Sequence, residues 1–188
     1  MRLRKKSPIL LCVDCQKGFY EENHQGGSIN NKQWESVCGK VINKWRELTL
    51  KLVHVRYSAT NIDSALHKNN PGFEFCDIAK PINNEVIITK NVSSAFIGTN
   101  LKELLDNNKH GAVIIIGLTT EHCISSTARM SSDYGYDTYV VSDATATFDK
   151  TSINGEIISS KLLQSSTLAS LEDRLATVID STRLFEIL

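Results

Sequence analysis

The sequence lacks any apolar run approaching the roughly 20 residues that a helix needs to cross a bilayer, so no membrane partner is expected. It also lacks an excess of either charge. Lys+Arg and Asp+Glu both number 21, the formal net charge is zero, and nothing points to a nucleic-acid partner. The one basic cluster, "MRLRKK", has no long apolar stretch of the kind a signal peptide carries and reads as a solvated start. An even, regularly spaced set of cysteines is missing too. The five present (Cys12, Cys15, Cys38, Cys76 and Cys123) argue against a disulfide framework and for reduced thiols in a cytoplasmic protein. Internal repeats, low-complexity tracts and linkers are absent, so residues 1–188 read as a single domain with one sizeable core.

What is present is an alternation of strand and helix patterns. Continuous apolar runs suit strands buried on both faces. They occur at 8–14 ("PILLCVD"), 49–57, 85–89, 112–117 ("AVIIIG"), 137–144 and 175–180. Between them, Trp34, Val37, Cys38, Val41, Ile42, Trp45 and Leu48 repeat at helical spacing across 30–48. Helices are also expected over 98–109, 121–135 and 155–171, the third of these four with Thr120 as N-cap and Gly135 as its stop. Residues 58–84 carry two of the three prolines and no periodicity, and so long an irregular stretch within a domain is usually functional. Strands alternating with helices imply right-handed βαβ units and a mostly parallel sheet covered on both faces, an α/β fold of three layers.

Ligands of open parallel sheets bind at the carboxyl ends of the strands. The first strand delivers Asp14 and then Gln16 to that edge, the third delivers Lys90, and the fourth, after a short turn, delivers Cys123. Alone, each has an ordinary explanation: a turn acid, a solvated lysine, a small buried hydrophobe. Together they make an acid, a base and a thiol on one edge. A thiol in the first turn of a helix faces unpaired N–H groups and the positive end of the helix dipole, and a nearby Lys90 would add to this. A lowered Cys123 pKa, and hence a nucleophilic thiolate, is the expectation. "CVDC" at 12–15 has redox or metal spacing, but positions i and i+3 of a strand face opposite ways, so the two sulfurs are expected to diverge. The remaining metal candidates, His54, Asp63 and His67, do not fall at ligand spacing, and no metal is expected. His122 is expected to point away from Cys123, and His24 and His110 to lie on the surface.

Three stretches then carry a resemblance. "LLCVDCQKGF", "VIITKNVSSAFIGTNL" and "GLTTEHCISSTARMSSDYGYDTYVVSDATATF" occur in order and resemble the acid, lysine and nucleophile segments of the isochorismatase-like cysteine hydrolases. That family includes nicotinamidases, carbamoylsarcosine amidases, ureidoacrylate amidohydrolases and biuret hydrolases. The resemblance implies an α-β-α sandwich around a six-stranded, mostly parallel sheet and an Asp14–Lys90–Cys123 catalytic triad. It further implies a cis peptide between Leu118 and Thr119, and an oxyanion hole from the N–H groups of Thr119 and Cys123. It also implies a homo-oligomer, a dimer or tetramer. Gln16, Phe19, Tyr57 and Phe96 are the expected pocket walls. The Asp-x-His-x-x-x-His metal motif of nicotinamidases is absent from "VRYSATNIDSALH", so a metal-free branch without a cofactor is expected.

The reading this supports is hydrolysis of a small-molecule C–N bond, amide or ureido, through a thioester on Cys123. Two alternatives stay open: an isochorismatase-type hydrolysis of a vinyl ether, which needs no thiol, and a non-catalytic redox or binding role.

Overall fold

The computed structural model describes residues 3–20, 28–82, 84–172 and 174–188. Six strands form one sheet: β1 (Ile9–Val13), β2 (Lys51–Tyr57), β3 (Val86–Lys90), β4 (Ala112–Leu118), β5 (Asp137–Ala146) and, after a short hairpin, β8 (Thr177–Ile179). Their order is β3-β2-β1-β4-β5-β8, and every pairing is parallel. The two central strands, β1 and β4, are buried along their whole length, which is why they read as unbroken apolar runs.

Side chains of β1 and β4 alternate between two cores, as the period of two in a strand demands. Leu10, Cys12, Ile114 and Ile116 pack on one face with Trp34, Val41, Ile42 and Trp45 of α1 (Trp34–Glu47). Ile9, Leu11, Val113 and Ile115 pack on the other face. Their partners there are Leu101 and Leu105 of α2 (Leu101–Asn107), Ala128 of α3 (Ser125–Asp133) and Leu171 of α4 (Ser160–Glu172). A final helix, α5 (Ser181–Ile187), adds Leu184 to the first face.

Several boundaries differ from the sequence pattern. Residues 155–159 do not begin a helix. They belong to a two-stranded hairpin, β6 (Lys150–Thr151) with β7 (Ile157–Ile158), turned by Gly155 at φ +82° and by Ser152, whose hydroxyl accepts from the Asn154 and Glu156 N–H groups. A positive φ suits glycine and breaks helical continuity. Helix α5 was invisible to periodicity at seven residues, although Asp180 caps it by accepting the Arg183 N–H at 2.7 Å. His110 is buried, its Nδ1 paired with the Ser7 carbonyl at 2.7 Å, and is not a surface residue. His24 lies outside the described residues.

The strand order reverses between β1 and β4, so the crevice beyond their carboxyl ends is the topological switch point where α/β proteins bind ligands. Gly117 lets β4 approach β1 there. It sits at φ +118°, and a Cβ on it would meet the Val13 carbonyl oxygen at 1.9 Å.

Candidate active site

Asp14 follows β1 directly, with its backbone turned to φ +53° and its N–H bonded to the Val55 carbonyl of β2 at 2.8 Å. Asp and Asn are among the few side chains that tolerate this left-handed region. The turn places the Asp14 carboxylate at the switch point, where it is fully buried. Lys90, the last residue of β3, reaches the same spot. Its Nζ donates to Asp14 Oδ2 at 2.7 Å and stands 3.2 Å from Cys123 Sγ. It also lies 5.1 Å from the centroid of the Tyr57 ring, a cation–π contact.

Cys123 comes from the turn after β4. Residues Thr120–Ile124 wind as a π-helical turn before α3, and such turns are frequent at functional sites. The peptide joining Leu118 to Thr119 is cis. Thr120 does not cap the helix: its hydroxyl donates to the Ala146 carbonyl on β5 at 3.2 Å, tying the turn to the sheet. Gly135, at φ +86°, ends the helical segment. Of the five cysteines, all free thiols, the other four are buried and Cys123 is partly exposed.

The electrostatics differ from the sequence expectation. The Cys123 thiol is pushed up, not down: burial contributes most, the Asp14 carboxylate adds to it, and Lys90 only partly offsets them. One ammonium is matched by one carboxylate, and a second anion would be in excess. Burial also raises Asp14, against the pull of Lys90 and Cys123. Lys90 is raised despite its burial, by Asp14 and then Cys123. The resting site is therefore a Lys–Asp ion pair beside a neutral thiol.

These groups open on a cavity of about 730 Å³. Phe19 and Tyr57 line it, as do Asp14, Thr119 and Cys123. Gln16 and Phe96 do not. The Gln16 side chain turns into the protein: its Nε2 donates to the Tyr57 and Phe73 carbonyls, both at 3.0 Å, and its Oε1 accepts the Tyr57 N–H at 2.8 Å. Phe96 packs against the Tyr134 and Tyr136 rings, at 5.4 and 6.4 Å. His122, expected to point away, lines the cavity. The stretch from 58 to 84 supplies Ala59, Thr60, Asn61, Ser64 and Leu66 to the wall. Its length and lack of periodicity were the only sequence signal for them.

The remaining sequence candidates do not converge. His54 is buried and paired with Glu85 at 2.8 Å. Among the described residues, no group of three or more His, Cys, Asp and Glu could hold a metal ion. The sulfurs of Cys12 and Cys15 do not diverge: they lie 3.3 Å apart, because β1 ends at Val13 and the turn at Asp14 swings Cys15 back into the same core. Both are fully buried and their thiols are raised well above the ordinary value, Cys12 chiefly by its contact with Cys15 and Cys15 chiefly by Cys38 and burial against an opposing contact with Cys12. Such thiols are inert. No helix among the described residues is long and apolar enough to cross a membrane.

Residues 8–182 match the isochorismatase domain. The chain belongs to the isochorismatase family. Within the family it is similar to YrdC of Bacillus subtilis (strain 168), an uncharacterized member, at 40% identity over 180 residues, or 96% of this chain and 95% of YrdC. The structure of a protein described as a hydrolase of the isochorismatase family, from Chromobacterium violaceum, matches with a TM-score of 0.94 at 29% identity. That match covers 100% of this chain and 96% of the other. A maleamate amidohydrolase of Pseudomonas putida is 34% identical over 74 residues, 39% of this chain and 35% of that enzyme. This chain is thus an isochorismatase-family hydrolase with an α/β fold of that type.

Proposed function

We propose that this isochorismatase-family hydrolase cleaves a small-molecule C–N bond, amide or ureido, with Asp14, Lys90 and Cys123 as its catalytic residues. The observation that carries the reading is the buried contact of Lys90 Nζ with both Asp14 Oδ2 (2.7 Å) and Cys123 Sγ (3.2 Å), the acid and the thiol both lining a cavity with Lys90 behind them. Asp14 Oδ1 is buried without a hydrogen bond, which leaves an oxygen open to take a proton.

As substrate binds, Asp14 takes the Cys123 proton and the thiolate attacks the carbonyl carbon. The oxyanion that forms is held by the N–H groups of Thr119 and Cys123. Asp14 returns the proton to the nitrogen as the C–N bond breaks, releasing amine or ammonia and leaving a thioester. Water then gives a proton to Asp14 and attacks the thioester. The C–S bond breaks, the acid leaves, and Cys123 recovers its proton. Lys90 keeps Asp14 ionised and offsets the charge on sulfur while it lasts. The scheme runs on side chains and backbone alone, with no cofactor. The protein would work in the cytoplasm as a homo-oligomer, a dimer or tetramer, on a small-molecule substrate.

The test is ammonia release across a panel of primary amides and ureido compounds by the wild type, Cys123→Ala and Asp14→Asn, with circular dichroism to check the fold. Both variants are expected to lose activity, Asp14→Asn by about 10²–10⁴-fold. Near-normal ammonia release by Cys123→Ala would sink the thioester mechanism; vinyl-ether chemistry, which needs no thiol, is favoured instead if no amide is cleaved and Cys123→Ala still hydrolyses a vinyl ether.

A further inference from the structure

Around Cys123 one carboxylate is matched by one ammonium, and beyond them the described cavity lining carries no further carboxylate, lysine or arginine. Asp14 is the only ionised acid or base among the described cavity-lining residues, imidazole aside, and its charge is matched by Lys90 at 2.7 Å. Hydroxyls and amides (Thr60, Asn61, Ser64, Asn91 and Ser93) share the wall with Phe19, Tyr57, Ala59, Leu66 and Val92. No arginine or lysine among the described residues lines the cavity. The imidazole at the rim, His122, stands 3.7 Å from the Glu121 carboxylate, which also holds Lys150 at 3.8 Å. Lys68 and Lys90 line a neighbouring hollow that shares Ala59, Thr60 and Asn91 with the cavity.

From this we infer that the substrate of this site is uncharged: a neutral carboxamide or urea, with no carboxylate on the part that enters the cavity. The inference rests on the amide reading above and narrows it. An anionic substrate entering this wall would give up water and find no arginine or lysine among the described lining residues with which to pair, and an unpaired charge moved out of water is costly. Hydroxyls and side-chain amides can replace the hydrogen bonds that a neutral amide leaves behind in water. Selectivity against anions then comes from what the wall lacks as much as from what it offers.

Two matched pairs test this independently. Iodoacetamide and iodoacetate differ by one amide against one carboxylate, and both alkylate Cys123 whether or not the protein turns anything over. At pH 9, in the range where Cys123 labelling is expected to rise, their rate ratio at Cys123 is read by mass spectrometry against the ratio for 2-mercaptoethanol. A bias toward iodoacetamide of about tenfold or more over that reference is expected, the size of one unpaired charge in a partly screened site. Ser93→Arg, which adds a cation to the wall, is expected to erase the bias. Succinamide and succinamate are then compared for ammonia release, and the neutral diamide is expected to be preferred by a similar factor. An unbiased alkylation ratio, or a faster reaction with iodoacetate, overturns the inference. A biased ratio with no ammonia from any amide leaves the neutral site standing and overturns the hydrolytic reading, so the two failures are distinguishable.

Discussion

Lys90 and Asp14 form an ion pair with both side chains wholly enclosed, Nζ to Oδ2 at 2.7 Å. Buried charges persist when paired, and this pair places one positive and one negative charge beside Cys123. A thiolate there would be an uncompensated anion, which explains why the sulfur keeps its proton until a substrate carbonyl accepts the charge.

The pH dependence of Cys123 labelling follows from that charge count. Burial and the Asp14 carboxylate both push the thiol up, so iodoacetamide labelling of the wild type is expected to rise only above the ordinary thiol range near 8.5. In Asp14→Asn a negative neighbour is gone, the thiolate is favoured, and the labelling midpoint moves to lower pH. A midpoint unchanged by the substitution would mean that Asp14 does not sense Cys123.

Gln16 is expected to position Asp14 without touching substrate. Its amide spans the Tyr57 backbone and the Phe73 carbonyl, fastening the chain just past Asp14 to the end of β2 and the loop that follows. Gln16→Ala leaves buried backbone groups without partners and is expected to cost about 2–4 kcal/mol of stability. Turnover should fall through kcat, with KM little changed. Denaturant melts and steady-state kinetics check this, and a change confined to KM would mean that Gln16 reaches the substrate.

Gly117→Ala tests the close approach of β4 to β1. The added methyl would fall 1.9 Å from the Val13 carbonyl oxygen, on a backbone at φ +118° that other residues rarely adopt. The neighbour is backbone and cannot rotate away. A loss of about 4 kcal/mol or more is expected, visible as failure to fold or a large fall in melting temperature. A melting temperature within a few degrees of wild type would contradict the geometry.

Acid stability is expected to depend on Glu85. Burial pushes this carboxyl up, but Arg46, the Ile82 N–H and His54 outweigh it and hold it at about 2, from an ordinary 4.5. A folded pKa below the unfolded one stabilises the protein above about 4.5, and that contribution fades as pH falls from there toward 2. Glu85→Gln should therefore be less stable at pH 7, by on the order of 2 kcal/mol, with the gap closing through that acid window. Urea melts at pH 7 and pH 3 measure both ends. A gap that does not narrow would mean that the charge is not what Glu85 contributes.

The sequence by itself determined the layers and the edge of the sheet at which chemistry gathers. Strands enclosed on both faces must be apolar throughout, and helices on a sheet must repeat at 3.6, so β1, β4 and α1 announce themselves by composition and period. A residue at the end of a parallel strand, or in the turn that follows it, lies at the carboxyl edge of the sheet, which made Asp14, Lys90 and Cys123 legible. Tertiary structure alone decided where their neighbours point. Gln16 became a backbone clamp, Phe96 part of an aromatic stack, His122 a wall of the cavity and Cys15 a partner of Cys12, because each lies in a turn whose direction is set by contacts remote in sequence. The charge on Cys123 was decided the same way. Helix position and Lys90 argue for a thiolate, but burial and the nearness of Asp14, properties of the assembled site, outweigh them.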